Sequence, residues 1–181
     1  MSTRDPAPGA RPLTRAQVVT MWWPLAASWL LMGVELPLLS AHVARLPDPK
    51  VQLAAYGSLV FPICLLIEAP IIMLLAASTA LCTDRDRFLR VRRWMHLAGA
   101  GLTAIHLALA TTPLYDLVAQ DLLAVPPAVA EAGHAGLLIM TPWTWSIAYR
   151  RFHQGILIRA GHSRTVGVGT LVRAGAVFAV L

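Results

Sequence analysis

Six ionisable residues stand within or beside long apolar runs: Glu35, Glu68, His106, Glu131, His134 and Arg173. A charge in an apolar medium is expensive unless it is paired, hydrogen-bonded or close to water. In such surroundings a carboxyl can carry a proton or attract a cation, an imidazole can relay a proton, and a guanidinium can hold an anion. Glu68 is the leading candidate, because it stands two residues before Pro70, where a kink would free a backbone carbonyl. Two readings stay open for it: a titrating group on a cavity, or the structural partner of an arginine, with Arg173 the nominated one. Glu35 resembles it and also precedes a proline. Glu131 and His134 are one helical turn apart and share a face, which reads as a solvated pair near a surface. His106 reads first as a hydrogen-bonded packing residue and second as a relay. Glu35, Glu68, His106 and Arg173 are the candidates for substrate or proton binding.

Enzyme chemistry finds no support. The sequence has no phosphate-cradling loop, no Ser/His/Asp set, no paired-carboxylate motif and no cluster of Cys and His at metal-ligand spacing, so no catalytic residue, metal or cofactor is expected. Cys64 and Cys82 share one apolar run and read as inert packing residues.

The elements that must position these residues follow from composition. Of the 181 residues, 57% are hydrophobic and only 13% charged, and the mean hydropathy is +0.62. Soluble domains carry roughly a quarter charged residues, so this chain has too little polar surface to cover a soluble globule. Several apolar runs also reach the roughly 20 residues that span a bilayer. The expected fold is all-α, a polytopic membrane helix bundle with about five spans, near 21–42, 51–82, 94–112, 129–149 and 165–181. Residues 1–20, rich in Pro, Arg and Ala, read as a disordered tail. Arginines before an apolar run also suit a secretory signal, but Glu35 and Pro37 interrupt that run and no small-residue cleavage site follows, which favours a first span. Pro62 and Pro70 predict kinks in the long second span. The small residues of "AGAGLTA" in the third would let a neighbouring helix approach closely.

The net charge of +6 is carried mainly by arginines grouped between apolar runs. That pattern encodes topology rather than a nucleic-acid surface. The tail, the 83–93 segment ("TDRDRFLRVRR", five arginines against two aspartates) and the 150–164 segment are basic, whereas 113–128 has no Lys or Arg. All three basic segments then fall on the cytoplasmic side of a multi-pass cell-membrane protein. The 114–122 stretch, with Leu114, Leu117, Val118 and Leu122 at helical spacing, could lie flat on the opposite surface as a short amphipathic helix.

The segment after the fourth span reads "YRRFHQGILIRAGHSRT". It is expected to continue that helix and turn into the fifth as a cytoplasmic elbow. Arg150, Arg151 and Arg164 would meet lipid headgroups there, and Gly155 and Gly161 would permit a close turn. A plain positive-inside linker is the alternative.

The series Arg151, Gly155, Ile156, Leu157, Gly161, Arg164, Thr165 resembles a pattern at this place in the MATE-like branch of the multidrug/oligosaccharidyl-lipid/polysaccharide flippase superfamily, with spacing altered at both ends. "AAYGS" at Ala54–Ser58, the mid-helix Pro70, "TDRDR" at Thr83–Arg87, and Trp145 followed by "HQGIL" are similar in order to elements of the progressive ankylosis protein family. The resemblance covers most of residues 20–170, and no single element in it is strong. It implies a secondary transporter of twelve spans in two six-helix halves, with a central cavity opening alternately to each side and an organic or phosphate-containing anion as solute. Five spans correspond to less than one half, so a missing C-terminal half or a homodimer is expected, with membrane lipids as further partners. The alternative is a small structural or assembly membrane protein without transport.

Overall fold

A computed structural model describes residues 14–180, and every described element is helical. The expected tail over 1–13 and the last residue lie outside the described residues. From Thr14 on the tail expectation fails. Helix α1 runs Arg15–Val43 and starts at a capping box, in which the Thr14 side chain accepts from the Gln17 N–H and the Gln17 side chain accepts from the Thr14 N–H. The turn after it uses Asp48 in the left-handed region, with Pro49 pre-set for the first helical position.

The second expected span is one helical run in four pieces. Helix α2 (Pro49–Ala54) passes through a π-helical stretch (Ala55–Val60) into α3 (Phe61–Ile72) and, after a break at Met73, α4 (Leu74–Leu81). Prolines account for both irregularities. Pro62 has no N–H to return to the preceding turn, and the ladder widens ahead of it; Pro70 lies inside α3, and the break at Met73 comes three residues beyond it.

Helix α5 spans Arg85–Thr111. The basic segment expected as a loop is therefore mostly the first turns of this helix. Asp84 explains the early start, since its carboxylate accepts the Arg87 N–H at 2.9 Å. That bond, followed by one from the Thr83 hydroxyl, holds the Asp84 carboxyl below the ordinary aspartate range. After Pro113 the chain bends by 85° into α6 (Leu114–Asp116) and a π-helical turn (Leu117–Leu122). Tyr115 and Ala119 pack inward, whereas Leu114, Leu117 and Leu122 are exposed. Helix α7 (Pro127–Arg159, 33 residues) and α8 (Ser163–Val180) are joined by a short turn. Gly161, at φ 77°, sits where only glycine is unstrained.

Helix α7 is the axis of the bundle, with α3, α4 and α5 lying against it, while α1 packs chiefly on α8. Two apolar clusters fill the body. One gathers Leu59, Cys64, Leu109, Tyr115 and Leu137; the other gathers Ile71, Met95, Ile147 and Phe152. By length and composition, α1 and the 49–81 run are apolar enough to cross a membrane, and the bent pair Arg85–Thr111 with Leu114–Leu122 makes a third if counted as one span. Large apolar side chains such as Trp22, Leu30, Leu66, Ile139, Leu171 and Val172 face outward, an arrangement suited to lipid and costly in water.

Candidate functional site

Five charged side chains from four helical runs lie within electrostatic range of Arg150 or include it, and of these only Glu35 and Arg173 form an ion pair. Arg150 of α7 has Arg151 of the same helix, Glu68 of α3, Glu35 of α1 and Arg173 of α8 as its electrostatic neighbours. Position in each helix explains this proximity. At 1.5 Å per residue, Arg150 and Arg173 both lie roughly 15 Å from the α7–α8 turn, so the antiparallel helices bring them to one level. Glu68 is near the middle of the 49–81 run, whose α3 part packs on α7.

The two carboxylates are held differently. Glu35 is gripped by both terminal nitrogens of Arg173, each contact 2.5 Å long. This two-point fork is the strongest geometry available to a carboxylate and a guanidinium, and it ties α1 to α8. Glu68 has no such clamp. Arg150 and Arg151 lie within electrostatic range and the Trp143 indole is beside it, yet Glu68 Oε1 is buried without a hydrogen-bond partner. The Nε atoms of Arg150 and Arg151 are buried and unpartnered as well. The Arg151 guanidinium stacks over the Trp29 ring at 5.4 Å, which supplies part of the stabilisation that water would give.

Two cavities flank these arginines. One, about 150 Å³, lies between α1, α4, α7 and α8 and is lined by Arg151, Trp29 and Gln154. The other, about 300 Å³, lies between α7 and α8 and is lined by Arg150, Arg173, His153 and Gln154. Gln154, Val166 and Thr170 line both. Three guanidiniums against two carboxylates leave the layer one positive charge in excess.

The structure redistributes the candidates. Arg173 pairs with Glu35 and not with Glu68, whose charged neighbours are Arg150 and Arg151. Arg150 and Arg151 were assigned to the elbow and lie elsewhere: they sit two turns and more before it, Arg151 buried and Arg150 half-buried. Gly155 is likewise no turn residue. It lies inside α7, where an added Cβ would meet the Ser78 hydroxyl and come within 2.5 Å of the Leu75 carbonyl oxygen, so it is the point where α4 and α7 touch backbone to backbone. Only Gly161 and Arg164 belong to the turn region. Arg159, which the sequence reading passed over, donates to the Thr79 carbonyl at 2.8 Å and caps the end of α4. A basic residue at the last turn of a helix was the available signal.

His106 is separate from this layer. It is fully buried between α5 and α7, with Nε2 2.9 Å from the Leu137 carbonyl and Nδ1 3.0 Å from the Thr144 hydroxyl. The carbonyl can only accept, so Nε2 donates to it, and the Thr144 hydroxyl, which can donate or accept, partners Nδ1. Both ring nitrogens are therefore partnered. His134 bonds to the Ala110 carbonyl at 2.7 Å and stacks on Tyr115, whose hydroxyl donates to the Ala130 carbonyl, and Glu131 is exposed. Among the described residues no group of three or more His, Cys, Asp or Glu could hold a metal ion.

Fold and site together define a class: an all-helical bundle with helices of membrane-spanning length around a charged interior layer. No family model, curated protein or solved structure matches the chain.

Proposed function

We propose that the chain is an integral protein of the cell membrane whose interior arginine layer binds a small organic or phosphate-containing anion, as the N-terminal part of a MATE-like secondary transporter akin to the progressive ankylosis family would. The observation that carries this reading is the pair Arg150, half-buried, and Arg151, buried, with buried and unpartnered Nε atoms, each lining a cavity, and one positive charge in excess. A buried guanidinium without its full set of acceptors is costly, and an anionic group supplies the missing acceptors. The larger cavity is at the small end of the usual range for ligand pockets, which favours a compact carboxylate, sulfate or phosphate ester over a nucleotide.

Five crossings with a cytoplasmic N-terminus remain the reading we favour. Within the apolar parts of α5 and α7, His106 and Thr144 are buried, while Leu97, Ile105 and Ile139 face out. Reporter fusions after Arg93 and Arg159 should read cytoplasmic and one near Asp121 external; a cytoplasmic reading at Asp121 removes the topology. A binding titration tests the site. Sulfate and succinate should bind the purified chain in nanodiscs, choline should not, and Arg150→Gln or Arg151→Gln should abolish binding. Failure of every anion to bind the wild-type chain refutes the reading.

A second reading, a structural or assembly protein without transport, is favoured by α1. Only 6% of its most apolar stretch is buried, so a second copy or a further polypeptide has a large surface to cover.

A further inference from the structure

Between α1 and α8 runs a groove of about 610 Å³ whose walls are apolar except at one end. The two helices run parallel: Gly167 lies against Pro24 and Ser28, and further along both helices Arg173 meets Glu35. The lining extends from Trp23 to Val34 on α1 and from Arg164 to Leu171 on α8, so Trp23 and Arg164 share one end and Val34 and Leu171 the other. Ser28, a polar residue within the groove, donates its hydroxyl proton to the Pro24 carbonyl at 2.7 Å. What remains is an apolar trough with a cation at its mouth. At the helical rise of 1.5 Å per residue, the stretch from Trp23 to Val34 is roughly 16 Å long, close to the roughly 15 Å of half a hydrocarbon core. Arg164 is exposed and belongs to neither of the ion pairs found among the described residues. Trp23 at the same end is exposed as well, and tryptophan and arginine at one level mark the headgroup region of a bilayer.

We propose that this groove holds one anionic phospholipid of the leaflet next to the α7–α8 turn, with an acyl chain along α1 and α8 and the phosphate on Arg164. The inference rests on the membrane placement proposed above and is independent of the interior anion site. Of the three arginines expected at headgroups, Arg164 is the exposed one. The competing occupant is a second copy of the chain. Copies in one membrane share an orientation, so the same helix ends would meet. Neither α1 nor α8 has an acidic residue in its first turn, and each has an arginine there. A second copy would therefore bring like charges to the mouth of the groove and leave Arg164 without a counter-ion. A phosphate supplies that charge, and an acyl chain matches the walls in polarity and length.

The test is native mass spectrometry of the whole chain released from micelles that contain equal amounts of phosphatidylglycerol and phosphatidylcholine with identical acyl chains. The expectation is a monomer that retains one phosphatidylglycerol in preference to phosphatidylcholine by about fivefold, the factor that one arginine near an anionic headgroup contributes. Arg164→Gln should abolish the preference, and Arg90→Gln, in the basic start of α5, should keep it. Val168→Phe should fill the groove and lower retention of both lipids. Arg164 and Val168 are exposed, so neither change strains the interior. A photoactivatable phosphatidylglycerol checks the place on the wild type, where cross-links should fall within residues 23–34 or 164–171. Equal retention of the two lipids by the wild type, an undiminished preference in Arg164→Gln, cross-links confined to other helices, or a lipid-free dimer overturns the groove site and leaves the membrane reading standing. A chain that stays dispersed without detergent and retains neither lipid overturns both.

Discussion

The interior of this bundle holds polar groups in two places, and they are built on opposite plans. Between α5 and α7, His106, Thr144 and the Leu137 carbonyl form a closed set: three groups, each answered by another, at 2.9 and 3.0 Å. Where α1, α3, α7 and α8 meet, the polar groups are charged, only Glu35 and Arg173 are matched, and three buried atoms on Glu68, Arg150 and Arg151 are left over. A closed network with every group partnered specifies packing and offers nothing to a ligand. An open charged layer costs stability and is retained where something binds or moves. The contrast separates the histidine, which sequence reasoning admitted as a possible relay, from the arginines, which it placed elsewhere.

The largest effect should come from unclamping the matched pair. Arg173→Gln leaves Glu35 buried without its partner, and such losses cost about 3–5 kcal/mol. Unfolding in mild detergent should show it, and the charge-reversed double variant Glu35→Arg with Arg173→Glu should recover a substantial part. Equal instability of the double and single variants would mean that the fork is not what joins α1 to α8.

Next is the helix contact beside the layer. Gly155→Ala must push α4 off α7, because the new methyl has no space against the Leu75 carbonyl, and overpacking of this kind costs about 1–3 kcal/mol. The same shift moves Arg150 and Arg151 on α7, so anion affinity should fall along with stability. A variant that keeps wild-type affinity would detach the layer from that contact.

The closed network should behave otherwise. His106→Leu leaves the Thr144 hydroxyl without its partner on α5, while the Leu137 carbonyl keeps the Thr141 hydroxyl, a loss of about 1–3 kcal/mol, yet sulfate affinity should be unchanged in the protein that folds. A clear loss of affinity would merge the two regions and break the comparison.

The helical runs were legible in the sequence because apolar length and proline position dominate them. The irregularities of the 49–81 run, a π-helical stretch ahead of Pro62 and a break at Met73, lie near the two prolines, and the turn at Gly161 falls where steric rules put it. The charged residues of the layer were partly legible: Glu35, Glu68 and Arg173 stood out through the cost of charge in apolar sequence. Their partners did not, because pairing across helices depends on rotation and depth, which no single helix encodes. Arg150 and Arg151 misled for a related reason. The positive-inside pattern treats all arginines at a span's end alike, whereas α7 runs on for two more turns and leaves these two inside. The extended start of α5 was missed because the cap at Asp84 was read as part of a loop.

The smallest expected effect is at that cap. Asp84→Ala should fray the first turn of α5, seen as faster amide exchange at Arg87 and Phe88, with no change in anion binding. The depressed value of the Asp84 carboxyl sets the sign of its pH dependence. The cap's contribution is present above the ordinary aspartate range and is lost as pH falls through the lower folded-state value. Exchange at Arg87 should therefore be protected at neutral pH, once corrected for its intrinsic rate, and lose that protection only in strong acid.

The central claim, that the buried arginine layer is an anion site reached by water, is tested most directly by a water-soluble, arginine-selective reagent such as phenylglyoxal on the chain in native membranes, with modified positions read by peptide mass spectrometry. Arg150 or Arg151 should react, and sulfate should protect them while an equal concentration of choline does not, with exposed Arg85 as the unprotected reference. If Arg150 and Arg151 stay unmodified under conditions that label Arg85, or react equally with and without sulfate, the layer is sealed structure and the claim is wrong.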